Sequence, residues 1–161
     1  LGRVRLMHPA LDLERQHGQD AGHEVQDKAP KECRADQQEE VDPTHFSGRA
    51  QLKRISGVSG NPSINVYWVD FASEARTDWH VHSGQQILFI VTGRCLIQKW
   101  GETVQELAAG DIVCIEAATK HWHGSSGSRM SHLAININAT TDWMEKVTDV
   151  QYQQAKSEVN S

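Results

Sequence analysis

From Phe46 onward the chain is cut into short runs of alternating or wholly apolar residues separated by Gly, Pro, Asn and Ser, and this punctuation restricts the fold more than any other feature. The runs cover 51–55, 63–71 after a turn zone at 57–62, 86–91, and 94–100 after Thr92-Gly93. Gly101-Glu102 leads into 103–107, Gly110 leads into 111–115, and 130–137 closes the series. Runs of this length, bounded by residues that favour turns, are strands. So many in succession, with no helical pattern between them, predict an antiparallel sandwich or barrel, an all-β fold. Near the end, 142–147 follows the cap-like Thr140-Thr141 and predicts a short C-terminal helix, after which the polar stretch 153–161 reads as a flexible tail.

Residues 1–43 differ in kind. They are rich in Gln, Asp, Glu, Lys and His and nearly devoid of β-branched and aromatic residues, so they bury too little apolar surface to offset the entropy of ordering. They are expected to form a disordered or loosely docked arm, whose His8, His17 and His23 are solvated. The barrel domain is expected over 44–152, and 161 residues suit one domain.

The net charge is -5 with no cluster of Lys or Arg, which argues against a surface that tracks phosphates. A small-molecule substrate is expected, with no nucleic-acid partner. Cys33, Cys95 and Cys114 have no C-x-x-C spacing, so neither a disulfide framework nor a zinc knuckle is expected. Cys95 and Cys114 sit in apolar runs and read as core thiols, in keeping with a reducing, cytoplasmic setting. No apolar run approaches the roughly 20 residues that span a bilayer, so no membrane association is expected.

Within this frame the chemistry concentrates in two places. In extended chain His80 and His82 point to one face, Gln86 shares their parity, and a second pair, His121 and His123, repeats the spacing. A lone His-x-His on a strand is usually surface or structural. Two pairs, each beside a Trp and each embedded in an apolar strand region, point to a divalent metal, for which neutral imidazole is a common ligand. Trp79 and Trp122 have the opposite parity and are expected in a sheet core. His123 is left open among a fifth ligand, a partner behind the ligands and an ordinary barrel histidine.

These residues also carry a resemblance. His80-x-His82, Gln86 and Gly93 resemble the first cupin motif, with Gln86 where most cupins have Glu and Glu74 where the opening Gly stands. Gly110 through His121 resembles the second, with Glu116, Ala118 and Ser125 at the usual Pro, Gly and Asn. The strings Ala75-Arg76-Thr77-x-Trp79-His80-x-His82, Lys120-His121-Trp122-His123-Gly124, Met130-x-His132-Leu133-Ala134-Ile135 and Asp142-Trp143-Met144-Glu145-x-Val147-Thr148-Asp149 are similar to small single-domain cupins that include the manganese-dependent (R)-selective hydroxynitrile lyases.

The resemblance implies a double-stranded β-helix, or jelly-roll barrel, assembled as a homodimer or homotetramer. It also implies one divalent ion per chain, manganese foremost with iron, zinc or nickel as alternatives, held by His80, His82, Gln86 and His121. His132 then stands at the place of an acid/base group, a role that suits the near-neutral titration of an unperturbed imidazole, and Thr77 at that of a threonine lining the same pocket. Tyr67, Val69 and Asn136 fall at pocket positions; Tyr67 replaces a small residue and Asn136 a glutamine. The implied activity is lyase-like cleavage or synthesis of cyanohydrins of the (R)-mandelonitrile type. A non-haem metal dioxygenase and a non-enzymatic ligand-binding cupin are the alternatives.

Overall fold

The computed structural model describes residues 37–39, 43–55 and 63–161. Among these described residues thirteen strands and one helix follow in order: β1 (Gln37–Glu39), β2 (Phe46–Ser47), β3 (Ala50–Arg54), β4 (Ile64–Phe71), β5 (Arg76–Thr77), β6 (His80–His82), β7 (Gln85–Thr92), β8 (Arg94–Lys99), β9 (Gln105–Ala108), β10 (Ile112–Ile115), β11 (His121–Ser125), β12 (Met130–Ile137), β13 (Thr141–Trp143) and α1 (Asp149–Val159). A 3-10 turn, Pro43–His45, precedes β2. Of the N-terminal arm the structure describes Gln37–Glu39, which pairs antiparallel with β3, and Pro43 in that turn; 1–36 and 40–42 lie outside the described residues. Among the described residues no helix is long and apolar enough to cross a membrane.

Among the described residues every strand pairing is antiparallel. One sheet runs β1-β3-β4-β12-β7-β10; in the other, β11 pairs with β5, β6 and β8, while β13 extends β6 and β2 extends β5. Alternation decides what each face meets. On β12 the residues Met130, His132, Ala134 and Asn136 are buried while those between are only partly so, and on β7 the buried set is Gln86, Leu88 and Ile90. The apolar ones among them, Met130, Ala134, Leu88 and Ile90, pack with Val69, Phe71, Cys95, Ile97 and Ile115 into two apolar clusters. The pairing of β12 with β7 slips between Ser131 and His132, an irregularity beside the residue expected to be the acid/base group.

A third cluster lies on the opposite parity of the second sheet. Trp79 and Trp122 pack there with Leu96, Val104 and Val147, and α1 contributes Tyr152 and Ala155. The Trp pair is thus sheet core, as alternation predicts. The same cluster corrects the C-terminal reading. The segment expected as a helix at 142–147 begins as a strand, because β13 completes the open edge of β6, and the helix starts later, at Asp149. Thr148 is the N-cap and Gln151 closes a capping box with it, so the helix start signal lies seven residues beyond Thr141. The stretch 153–161, read as a flexible tail, is helical through Val159 because Ala155 is buried against the Trp pair and the Tyr152 hydroxyl donates to the Ser125 carbonyl at 2.7 Å. Arg76 locks the junction by donating to the Val147 carbonyl at 2.9 Å and to Asp149 Oδ1 at 2.6 Å.

Cys95 is buried as expected, but Cys114 is exposed: it shares the outward parity of Ile112 on β10, which is an edge strand. The two departures that replace a motif glycine fall where the backbone is left-handed. Glu74 has φ +63° and Ala118 has φ +59°, so both positions keep a conformation that glycine adopts without cost.

Candidate metal centre

The β6 strand turns His80 and His82 inward, 1% and 4% exposed, and β11 brings the fully buried His121 directly opposite His80. One ligand nitrogen from each of these histidines lies within 4.8 Å of the other two. Their outer nitrogens are already engaged. His80 Nδ1 donates to the Asp78 carbonyl at 2.9 Å, and His121 Nδ1 donates to the Thr119 carbonyl at 2.9 Å. A carbonyl can only accept, so both rings carry their proton on Nδ1 and hold the Nε2 lone pair free. His82 Nδ1 lies 3.0 Å from the Thr141 hydroxyl, and its Nε2 is buried without a partner.

Gln86 completes the group through a cross-strand pair. Its Nε2 donates to Asn136 Oδ1 at 3.0 Å, because Gln86 and Asn136 face each other in the β7–β12 register. The amide is thereby turned so that Oε1 lies 3.2 Å from His121 Nε2. With the His121 proton on Nδ1, two lone pairs confront each other there with no hydrogen between them. Buried acceptors without a donor are unfavourable; a cation would satisfy the Gln86 oxygen, His121 Nε2 and the orphaned His82 Nε2 together. The residues therefore fit a divalent ion, with three neutral imidazoles and one uncharged oxygen.

The electrostatics agree. Burial holds His80 well below the ordinary histidine range, lowers His82, and pushes His121 down to about 4. All three are neutral at pH 7 and need not shed a proton to bind a metal.

Beyond them lies a second pair. His132 Nε2 is 3.4 Å from His123 Nδ1, both side chains are buried, and His132 Nδ1 has no partner. His123 stands outside the group of three whose nitrogens converge, with its ring 5.3 Å from that of His80 and 5.0 Å from that of His132. The near-neutral titration expected for His132 does not survive burial, which pushes it down to about 4. The Thr77 hydroxyl is occupied by the backbone of β11: it donates to the His123 carbonyl at 3.2 Å and accepts from the His123 N–H at 3.1 Å.

A pocket of about 290 Å³ opens onto His80, His82, Gln86, His123, His132 and Asn136, and Thr77, Tyr67 and Val69 also line it. Its remaining wall, formed by Leu52, Phe71 and Ala134 with His45, Phe46, Thr141 and Trp143, was not anticipated from the sequence. Of these, Trp143 shares the parity of Thr141 in a strand paired to β6, a signal hidden by reading the segment as helix.

Comparison with known proteins gives the same picture. A cupin domain is matched over residues 67–136. The (R)-mandelonitrile lyase of Granulicella tundricola is 41% identical over 112 residues, which span 67% of this chain and 86% of that protein. A cupin-like protein from Thermotoga maritima superposes with a TM-score of 0.68 at 30% identity, covering 72% of this chain and 91% of its own. The DMSP lyase DddQ of Ruegeria pomeroyi, at a TM-score of 0.58 and 17% identity over 70% of this chain and 63% of its own, shares the fold alone. The barrel, the paired histidine motifs and the lyase relative together make this chain a member of the cupin superfamily.

Proposed function

We propose that this chain is a metal-dependent lyase that cleaves and forms cyanohydrins of the (R)-mandelonitrile type. The observation that carries the reading is the confrontation of Gln86 Oε1 and His121 Nε2 at 3.2 Å beside the free His82 Nε2, in a pocket that also contains His132. Its 41% identity with a mandelonitrile lyase supports the choice of reaction. His80, His82, Gln86 and His121 would hold the ion, manganese foremost, which when bound supplies Lewis acidity that lowers the pKa of a substrate hydroxyl.

The protein's own groups handle the proton. His132 is neutral at pH 7 and so is ready to accept the hydroxyl proton, while His123, 3.4 Å away, shares the resulting charge. As the proton leaves oxygen, the C–O bond becomes a carbonyl, the bond to the nitrile carbon breaks, and cyanide departs with that electron pair. Burial makes imidazolium a poor resting state for His132, so the proton passes on to cyanide. Synthesis is the reverse. Leu52, Val69, Phe71 and Ala134 keep the pocket wall apolar, which limits competing attack by water.

The test is benzaldehyde release from (R)-mandelonitrile by manganese-reconstituted protein, run with and without oxygen, beside H132A and H82A. Cleavage that ignores oxygen and is lost in both variants supports the proposal. Failure of the reconstituted wild type to cleave, or strict dependence on oxygen, contradicts it.

A further inference from the structure

We propose that His45 and Trp143 form an aromatic selectivity lid on the pocket, one that favours substrates bearing an aryl group on the carbon next to the hydroxyl or carbonyl oxygen. The proposal rests on the cyanohydrin reading for where that oxygen sits, and adds which residues choose the rest of the substrate. Both residues lie outside the 67–136 segment matched by the cupin domain: His45 ends the 3-10 turn before β2, and Trp143 ends β13. The common barrel core thus supplies the histidine cluster, and the flanking segments supply this part of the wall.

The two rings stack nearly parallel, with centroids 4.6 Å apart and planes 8° from parallel. The indole also reaches inward. Its centroid is 4.8 Å from that of the His80 ring, and Phe46 lies 6.0 Å away on the other segment. One continuous aromatic surface therefore runs from a metal-site imidazole to the rim, where Trp143 is 37% exposed and the His45 side chain 32%. Large rings left partly open beside a pocket lack part of the contact that a buried aromatic group makes, and a ligand ring can supply it.

Their backbones are held. The Asp78 N–H donates to the His45 carbonyl at 3.0 Å, Lys146 Nζ donates to the Thr44 carbonyl at 2.9 Å, and Trp143 sits opposite His80 in the β13–β6 register. Anchored main chain with half-open rings is the arrangement of a shaped wall. The pocket consequently sets the polar His80, His82 and Gln86 beside an aromatic wall of Trp143, His45 and Phe46. A substrate oxygen at the first directs its carbon substituent toward the second, where a flat π-system gains offset or edge contacts that an alkyl group cannot make.

The experiment compares binding of benzaldehyde and isobutyraldehyde to manganese-loaded protein by ligand-observed NMR, for wild type, W143A, H45A and H45F, with metal content measured in each. Wild type should prefer the aromatic aldehyde by about tenfold, W143A and H45A should lose most of that preference while retaining metal, and H45F, which keeps a ring to stack, should restore it. Because Trp143 touches His80, H45A carries the test if W143A loses metal. Equal binding of the two aldehydes by wild type, or an undiminished preference in H45A, overturns the proposal. An aryl preference that depends on these residues, in a protein that does not cleave mandelonitrile, would uphold the lid while removing the lyase reading.

Discussion

Replacing Asn136 with Ala should weaken metal binding far more than it weakens the fold. In the metal-free protein the variant loses the hydrogen bond from Gln86 Nε2 to Asn136 Oδ1 at 3.0 Å, worth about 1 kcal/mol. The freed amide can then rotate and donate its N–H to His121 Nε2, replacing the opposition of two lone pairs at 3.2 Å with a hydrogen bond. The two effects offset, so the metal-free stability should change by about 1 kcal/mol or less. The metal sees only the loss: the oxygen aimed at it is no longer held, and removing such an orienting partner costs about 10- to 100-fold in affinity, or roughly 1.4–2.8 kcal/mol. Asn136→Asp keeps an acceptor for Gln86 Nε2 and should recover most of the affinity. Calorimetric titration of stripped protein with Mn²⁺ and Zn²⁺, beside urea unfolding of the same stripped samples, separates the terms. An affinity within about twofold of wild type in Asn136→Ala would refute the argument that Asn136 sets the Gln86 amide. So would a loss of metal-free stability as large as the loss in binding.

Three other outcomes follow from the same geometry. Thr141→Val removes the hydroxyl 3.0 Å from His82 Nδ1 at constant shape and should lower metal affinity about tenfold, with Thr141→Ser restoring it; unchanged binding in the same titration would show that the contact does not orient His82. In the metal-free protein, burial holds His121 and His132 at about 4, below the ordinary 6.5, so across that interval the unfolded chain takes up protons that the folded chain refuses. Their contribution is complete above pH 6.5 and is lost as pH falls toward 4, on the order of 3 kcal/mol per group, and a urea midpoint that stays flat between pH 7 and pH 4.5 would contradict it. Ala118→Gly relieves a side chain at φ +59° and should raise metal-free stability by about 0.5–1 kcal/mol, read as a higher urea midpoint; a lower midpoint would mean that the methyl group packs usefully.

What the sequence made legible were the features that obey a short-range rule. The long alternating runs became β4, β7, β8, β9, β10 and β12 because each has one face in the barrel and turn formers at its ends. The convergence of His80, His82, Gln86 and His121 was readable from parity together with the family motifs. What escaped depended on a neighbour distant in sequence. Residues 142–147 carry a plausible helix start, but the unpaired edge of β6 claims 141–143 as β13, and no local signal announces that edge. The polar end of the chain folds as α1 because Trp79 and Trp122 need a cover, which Tyr152 and Ala155 provide. An isolated His132 reads as a near-neutral titrating group; only its place between strands, with no exposed surface, shows how far its basicity is suppressed. His45 and Trp143 were invisible as a pair, being nearly 100 residues apart and joined only by the closure of the barrel.

Whether this histidine cluster binds a metal is read by elemental analysis of untagged protein, with His82→Ala measured alongside and folding checked by circular dichroism. Wild-type protein should carry a single divalent ion per chain, lost in His82→Ala while the β-sheet spectrum persists. Wild-type protein that carries no metal, and takes up none on dialysis against manganese, iron or zinc, would contradict metal binding there.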